Sequence, residues 1–135
     1  MTAVRCRAWL PVLLVAGAAL PCCNVVAQEA RRPLDDPRIA GAWQALRIVN
    51  CERCHGKAYT GLAAPSIVEY AGTQGREAFM RAVLDGNPPR GMPGYRANPL
   101  VNENIEGIYG YFRGRADGTI GAGDRPGPGV PVEVK

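Results

Sequence analysis

Residues 51 to 55 read Cys51-Glu52-Arg53-Cys54-His55, and His55 is the single histidine among 135 residues. Two thiols three positions apart with an imidazole directly behind them form the C-x-x-C-H spacing by which haem is attached through two thioethers. Both sulfurs can then reach the vinyl groups on one porphyrin edge, and the imidazole is carried beneath the iron. Cys51 and Cys54 are therefore the candidate attachment points and His55 the candidate axial ligand. Gly56 behind them is expected to let the backbone leave without a side chain striking the ring.

The same residues have two other uses, and both fit poorly. A structural zinc is closed by four ligands, and no fourth Cys or His remains once the amino-terminal segment is set aside. A thioredoxin-like C-x-x-C belongs near a βαβ pattern, whereas the flanks here read as helical.

The amino terminus carries the marks of export. Arg5 and Arg7 form a positive region, Trp9 to Leu20 an apolar run of 12 residues, and Val25-Val26-Ala27 a small-residue cleavage site before Gln28. A bilayer-spanning helix needs about 20 apolar residues, so a cleaved secretory signal over residues 1–27 is expected rather than a stable membrane anchor. Cys22 or Cys23 as a lipidation site is the minor alternative. Cleavage after Ala27 removes three of the five cysteines and leaves only Cys51 and Cys54. An exported chain without a disulfide framework then relies on a buried cofactor to enlarge its small core. Taking Arg5 and Arg7 from the 16 basic residues leaves 14 against 12 acidic ones. With no long basic run and no interleaving of basic and aromatic residues, nucleic acid is not an expected partner.

The 108 residues from Gln28 suit one domain, and their periodicity predicts short helices with almost no sheet. Asp36-Pro37 offers an N-cap with proline at the first helical position, followed by Ile39, Trp43, Leu46 and Val49 at spacings of four and three. That helix should end at the cysteine motif. Residues 56–65 read as a loop. Residues 75–85 restore helical spacing through Phe79 and Val83, with Gly86 as the stop, and Asn87 to Tyr95 read as an irregular Pro/Gly loop. A last helix is predicted from about Val101 to Arg113 with Asn102 as N-cap. Gly107 and Gly110 inside it each weaken a helix by about 1 kcal/mol relative to alanine, which suggests a close approach by the first helix at Gly41 and Ala42. Eight of the 15 residues from Asp117 to Pro131 are Gly or Pro, so an extended tail is expected there.

With one histidine, a second axial ligand must be methionine, lysine, a terminal amine, water or nothing. Met80 lies beside Phe79 and Val83 in an amphipathic helix, where methionine is usually core filler. Met92 stands in the Pro/Gly loop, 37 residues beyond His55, in surroundings stiff enough to hold a sulfur in place. Met92 is the favoured donor; Lys57 is too near His55 in the chain to reach the other face easily.

Taken together, the export signal, the helix leading into Cys51-Glu52-Arg53-Cys54-His55-Gly56, the loop Gly91-Met92-Pro93-Gly94-Tyr95 and the final aromatic helix resemble a bacterial class I monohaem cytochrome c. The resemblance covers most of residues 36–114. It implies an all-α fold of several short helices wrapped around one covalently bound haem c, with Cys51 and Cys54 holding the haem, His55 the proximal ligand and Met92 the distal one. It also implies that the Pro65 carbonyl accepts the His55 ring N–H, a contact that orients a ligand. The domains expected are a signal over 1–27, an extension over 28–35, a cytochrome domain over 36–116 and a Gly/Pro-rich tail over 117–135.

The segments from Ile108 to Gly118 and from Gly121 to Pro126 are similar to the carboxy-terminal end of cytochromes that accept electrons from pyrroloquinoline-quinone alcohol dehydrogenases. The resemblance thus implies a monomeric periplasmic electron carrier and no enzyme, taking electrons from a dehydrogenase and passing them to a terminal oxidase or other acceptor. The alternatives are a haem subunit of a larger oxidoreductase, or an open-site haem enzyme or sensor if Met92 does not bind iron.

Overall fold

The computed structural model describes residues 33–126, whose regular structure is five α-helices and two short 3-10 turns. No strand occurs among these residues; a lone bridge pairs Asn87 with Met92. The all-α expectation is met. The signal over 1–27 with Cys22 and Cys23, most of the 28–35 extension and the end of the 117–135 tail lie outside the described residues.

Helix α1 (Pro37–Ile48) starts as its sequence predicts, with the Asp36 carboxylate accepting from the Arg38 backbone N–H at 2.8 Å and Pro37 at the first position. Its end sets up the cysteine motif. Asn50 takes the left-handed conformation at φ 58°, which asparagine tolerates better than most residues. The Cys51 N–H then reaches back to the Leu46 carbonyl at 3.2 Å, as in a Schellman turn. The chain is thereby turned directly into α2 (Glu52–His55), a single turn.

Helix α3 (Ile67–Thr73) is an element that periodicity misses because it is only 7 residues long. A local signal for it does exist. The Ser66 hydroxyl accepts from the Glu69 N–H at 3.0 Å, so Ser66-Ile67-Val68-Glu69 has the spacing of a capping box directly after Pro65. Helix α4 (Arg76–Asp85) agrees with the predicted span and stops at Gly86, whose φ of 67° few side chains tolerate.

Helix α5 (Pro99–Asp117) is longer than the predicted Val101 to Arg113, and its N-cap is Asn98 rather than Asn102. Asn98 accepts from the Val101 N–H at 3.2 Å, with Pro99 at the first position. Asn102 already donates its backbone N–H to the Asn98 carbonyl at 2.9 Å, so it lies inside the first turn. The Asn-Pro pair repeats the Asp36-Pro37 device at the head of α1. Beyond α5 the chain does not simply trail away. Gly118 reverses it at φ 82°, the Ile120 N–H donates to the Gly114 carbonyl at 2.8 Å, and the Ile120 side chain is buried.

The core lies where α1 crosses α5, with α3 and α4 also packed on α5. Gly107 meets α1 at the Arg38 carbonyl and Ala42, as its sequence position suggests, and Gly41 faces Asn104. Around the crossing sit Leu46, Phe79, Ile108, Tyr111 and Phe112, all buried. Tyr59 joins them from the 56–65 loop, its ring edge-on to Phe112 at 5.2 Å between centroids. Its hydroxyl is buried without a hydrogen-bond partner, the one such side-chain atom among the described residues, and burial pushes its pKa up. An unsatisfied buried hydroxyl costs about 1–3 kcal/mol. Tyr59→Phe is therefore expected to stabilise the protein by about 1 kcal/mol in urea unfolding, and a loss of stability would mean that the hydroxyl is bonded.

Candidate cofactor site

The one-turn helix α2 places Cys51 and Cys54 three residues apart, which puts both sulfurs on one helical face. Cys51 is half-buried and Cys54 exposed, and neither is in a disulfide. Arg47 from α1 ties the turn down through an ion pair with Glu52 at 2.7 Å. Burial pushes the Cys51 thiol up to about 11, opposite to the shift that activates a catalytic or redox thiolate. The burial of Cys51 thus works against a thioredoxin-like use of this thiol, which also lacks a βαβ context.

His55 is oriented by the loop that follows it. Its Nδ1 lies 2.7 Å from the Pro65 carbonyl oxygen. A carbonyl only accepts, so Nδ1 carries a proton, and in the neutral ring the lone pair is then on Nε2. Backbone bonds close the loop around this contact. The Gly61 N–H donates to the His55 carbonyl, and the Ala63 and Ala64 N–H groups both donate to the Cys54 carbonyl, each at 3.0 Å. Gly56 permits the turn with φ 82°, and a side chain there would stand 3.0 Å from the Gly61 carbonyl. The turn's own backbone therefore already requires glycine at this position.

Met92 arrives from the connection between α4 and α5. Asn87 and Met92 exchange two backbone hydrogen bonds, at 2.8 and 3.2 Å, so the intervening residues form a closed loop. The returning chain is pinned to α4 by Tyr95 N–H to the Val83 carbonyl, Arg96 N–H to the Leu84 carbonyl and an Arg96–Asp85 ion pair. The two segments nearly touch at Gly86 and Gly94. A Cβ on Gly94 would lie 2.8 Å from the Asp85 carbonyl oxygen, and one on Gly86 would overlap Pro93. Stiffness read from the Pro/Gly content thus has a concrete form in this backbone clasp.

Cys51, Cys54, His55 and Met92 all line one cavity of about 290 Å³, near the lower end of ordinary small-molecule sites at about 300–1,000 Å³. Leu46, Ile67, Phe79, Val83, Ile108 and Phe112 supply much of its apolar wall. Met80 instead packs against the core and Lys57 is exposed; neither lines the cavity. Asn50, Arg90 and Tyr95 also face it and are absent from the set of residues singled out in the sequence. The sequence marks Tyr95 only as a neighbour of the methionine and Arg90 only as a break in a Pro/Gly run.

Among the described residues no group of three or more His, Cys, Asp or Glu could hold a bare metal ion. One imidazole nitrogen with a free lone pair, one thioether, two thiols on a single edge and apolar aromatic walls fit an iron porphyrin.

Residues 37–112 match the family described as cytochrome c oxidase, cbb3-type, subunit III. Over 112 residues the chain is 34% identical to cytochrome c-555 of Methylococcus capsulatus (strain Bath), an alignment covering 82% of this chain and 89% of that protein. In structure it is similar to the c-type cytochrome XoxG from Methylobacterium extorquens AM1, with a TM-score of 0.59 at 24% identity. That alignment covers 70% of this chain and 59% of the other, and the likeness is one of fold.

Proposed function

This chain belongs to the monohaem class I cytochromes c, and from that premise we propose that Cys51 and Cys54 carry its haem, His55 binds the iron through Nε2 and Met92 fills the other axial position. It is an electron carrier whose cofactor is one covalently bound haem c. When bound, the haem supplies a one-electron iron couple. The single observation that carries the site reading is that Cys51, Cys54, His55 and Met92 line the same cavity.

Each residue has a defined task in this reading. The Pro65 carbonyl holds the His55 proton on Nδ1 and so keeps Nε2 available and oriented. The apolar walls exclude water, and a thioether donor favours a higher reduction potential than stronger donors do. Were His55 and Met92 both to hold the iron, substrate would have no place on it, and no side chain need act as acid or base. The role is therefore carriage rather than catalysis.

The signal over residues 1–27 is removed after Ala27, residues 36–116 form the cytochrome domain, and the protein works as a monomer in the periplasm between redox proteins. No helix among the described residues is long and apolar enough to cross a membrane. A quinoprotein alcohol dehydrogenase is the proposed donor, on the similarity of residues 108–126 to cytochromes that serve such enzymes.

The test is a reduced-minus-oxidised spectrum with and without carbon monoxide, on protein exported by a haem-maturing bacterium. A narrow α-band unaffected by carbon monoxide, with haem retained on a denaturing gel, is expected. Ready carbon monoxide binding by the wild-type protein would overturn Met92 ligation, and haem lost on denaturation would overturn attachment at Cys51 and Cys54. Stopped-flow reduction by a purified quinoprotein alcohol dehydrogenase tests the donor.

A further inference from the structure

We infer that Arg90 is the partner of a haem carboxylate at the end of the cavity away from the cysteines. This rests on the haem-site reading above and adds a residue to it.

Haem carries two carboxylates on the edge opposite its vinyl groups. Attachment at Cys51 and Cys54 fixes the vinyl edge at one end, so the charged edge must lie at the other. A carboxylate brought against apolar walls requires a hydrogen-bonding partner, and a cation serves best. Beyond His55, the polar side chains facing the cavity are Asn50, Tyr95 and Arg90. Two of them belong to the cysteine end. Asn50 directly precedes Cys51, and the Tyr95 hydroxyl is close enough to Cys51 and Cys54 to feel both thiols, a lesser contribution than burial to its raised pKa.

Arg90 shares the methionine loop with Tyr95 but lies within the turn that the Asn87–Met92 backbone pair closes, and it is the one lysine or arginine among the residues lining the cavity. Several other arginines are engaged elsewhere. Arg47 pairs with Glu52, Arg96 with Asp85 and Arg76 with Glu106, while Arg115 donates to the Ala58 carbonyl and the Tyr111 hydroxyl. Arg90 has no ion-pair partner among the described residues. Its backbone is nonetheless fixed, because the Arg90 N–H donates to the Asn87 carbonyl at 2.9 Å and the Gly91 N–H to the Pro88 carbonyl at the same distance. An exposed guanidinium with no ion-pair partner among the described residues, carried on a closed turn that lines the cavity, is a ready fork for one carboxylate. The same loop would then supply a sulfur from Met92 and a charge from Arg90.

The sign of the effect on the iron couple follows from the charges. Without the guanidinium, the carboxylate's negative charge is left uncompensated and favours the oxidised state, which carries one more positive charge. The potential therefore falls. In holoprotein, Arg90→Gln is expected to shift the reduction equilibrium about three- to tenfold toward the oxidised form, where tenfold is 59 mV for one electron. Arg90→Lys should recover at least half of that shift. Resonance Raman bands of the haem carboxylates should move in Arg90→Gln and return partway in Arg90→Lys.

Arg90 is exposed, so both variants are expected to fold. A low-spin spectrum with an unchanged potential and unchanged carboxylate bands in Arg90→Gln would overturn this inference while leaving the haem-site reading intact. Slower reaction with ferricyanide at an unchanged potential would assign Arg90 to surface attraction of anions and overturn it too. A wild-type protein without covalent haem would remove both readings together.

Discussion

Replacing Met92 with alanine is expected to lower the midpoint potential by a sizeable part of the roughly 0.8 V range that axial ligands control, and to open the iron to carbon monoxide. The loop that carries Met92 needs little from its side chain. It is closed by the Asn87–Met92 backbone pair and held on α4 through Tyr95, Arg96 and the Gly86–Gly94 contact. Removing the thioether should therefore leave the loop in place and change the ligand set alone. Met80→Ala is the matched control, because Met80 packs against the core and does not line the cavity. It should destabilise by about 2 kcal/mol, the low end for a methionine that is only half-buried, and leave the spectrum unaltered. A Met92→Ala holoprotein with the wild-type ligand-field spectrum, potential and indifference to carbon monoxide would sink the proposed ligation.

What could be read along the chain was whatever its neighbours in sequence decide. Asp36-Pro37 opens α1, and Gly86 ends α4, because caps, proline and left-handed glycine act within a few residues. The same local logic holds in two places where apolar periodicity gives no sign of it. Ser66 with Glu69 caps α3, a helix too short to show a period, and Asn98-Pro99 starts α5 three residues before the apolar positions that drew attention to Asn102. The burial of Ile120 was of another kind. Gly/Pro content described the backbone after Asp117 correctly as irregular, but the contact between Ile120 and Gly114 depends on tertiary packing that composition does not report.

The site divides in the same way. Cys51, Cys54 and His55 are neighbours in sequence, so their grouping needed only the motif, whereas the cavity they share with Met92 needs α4 and its clasped loop. Pro65 stands between these cases, ten residues from His55 but returned to it by backbone bonds from Gly61, Ala63 and Ala64. Arg90, Asn50 and Tyr95 carry no spacing that marks them as cavity residues. Their positions emerge only from how the α1 turn and the methionine loop are folded.

Gly107→Ala should be the most damaging of the small substitutions, destabilising by about 2–4 kcal/mol although alanine is the better helix former by about 1 kcal/mol. An added methyl would overlap the Arg38 carbonyl oxygen and stand 2.9 Å from its carbon and 3.2 Å from the Ala42 methyl. The first obstacle is helical backbone, which cannot rotate aside, so α1 and α5 must separate along the crossing that organises the core. Gly110, one turn on, provides the comparison. A methyl there meets only the end of the Ile39 side chain, at 3.2 Å, and Ile39 can yield by a few tenths of an ångström. Gly110→Ala is accordingly expected to fall within about 1 kcal/mol of the parent, because the gain in helix propensity offsets the small displacement. For a domain of this size each kcal/mol moves Tm by about 4–8 °C, so thermal unfolding of the two holoproteins should separate them clearly. Equal Tm values would mean that the crossing is looser than its glycine contact implies, and that Gly107 is not needed to admit the α1 backbone.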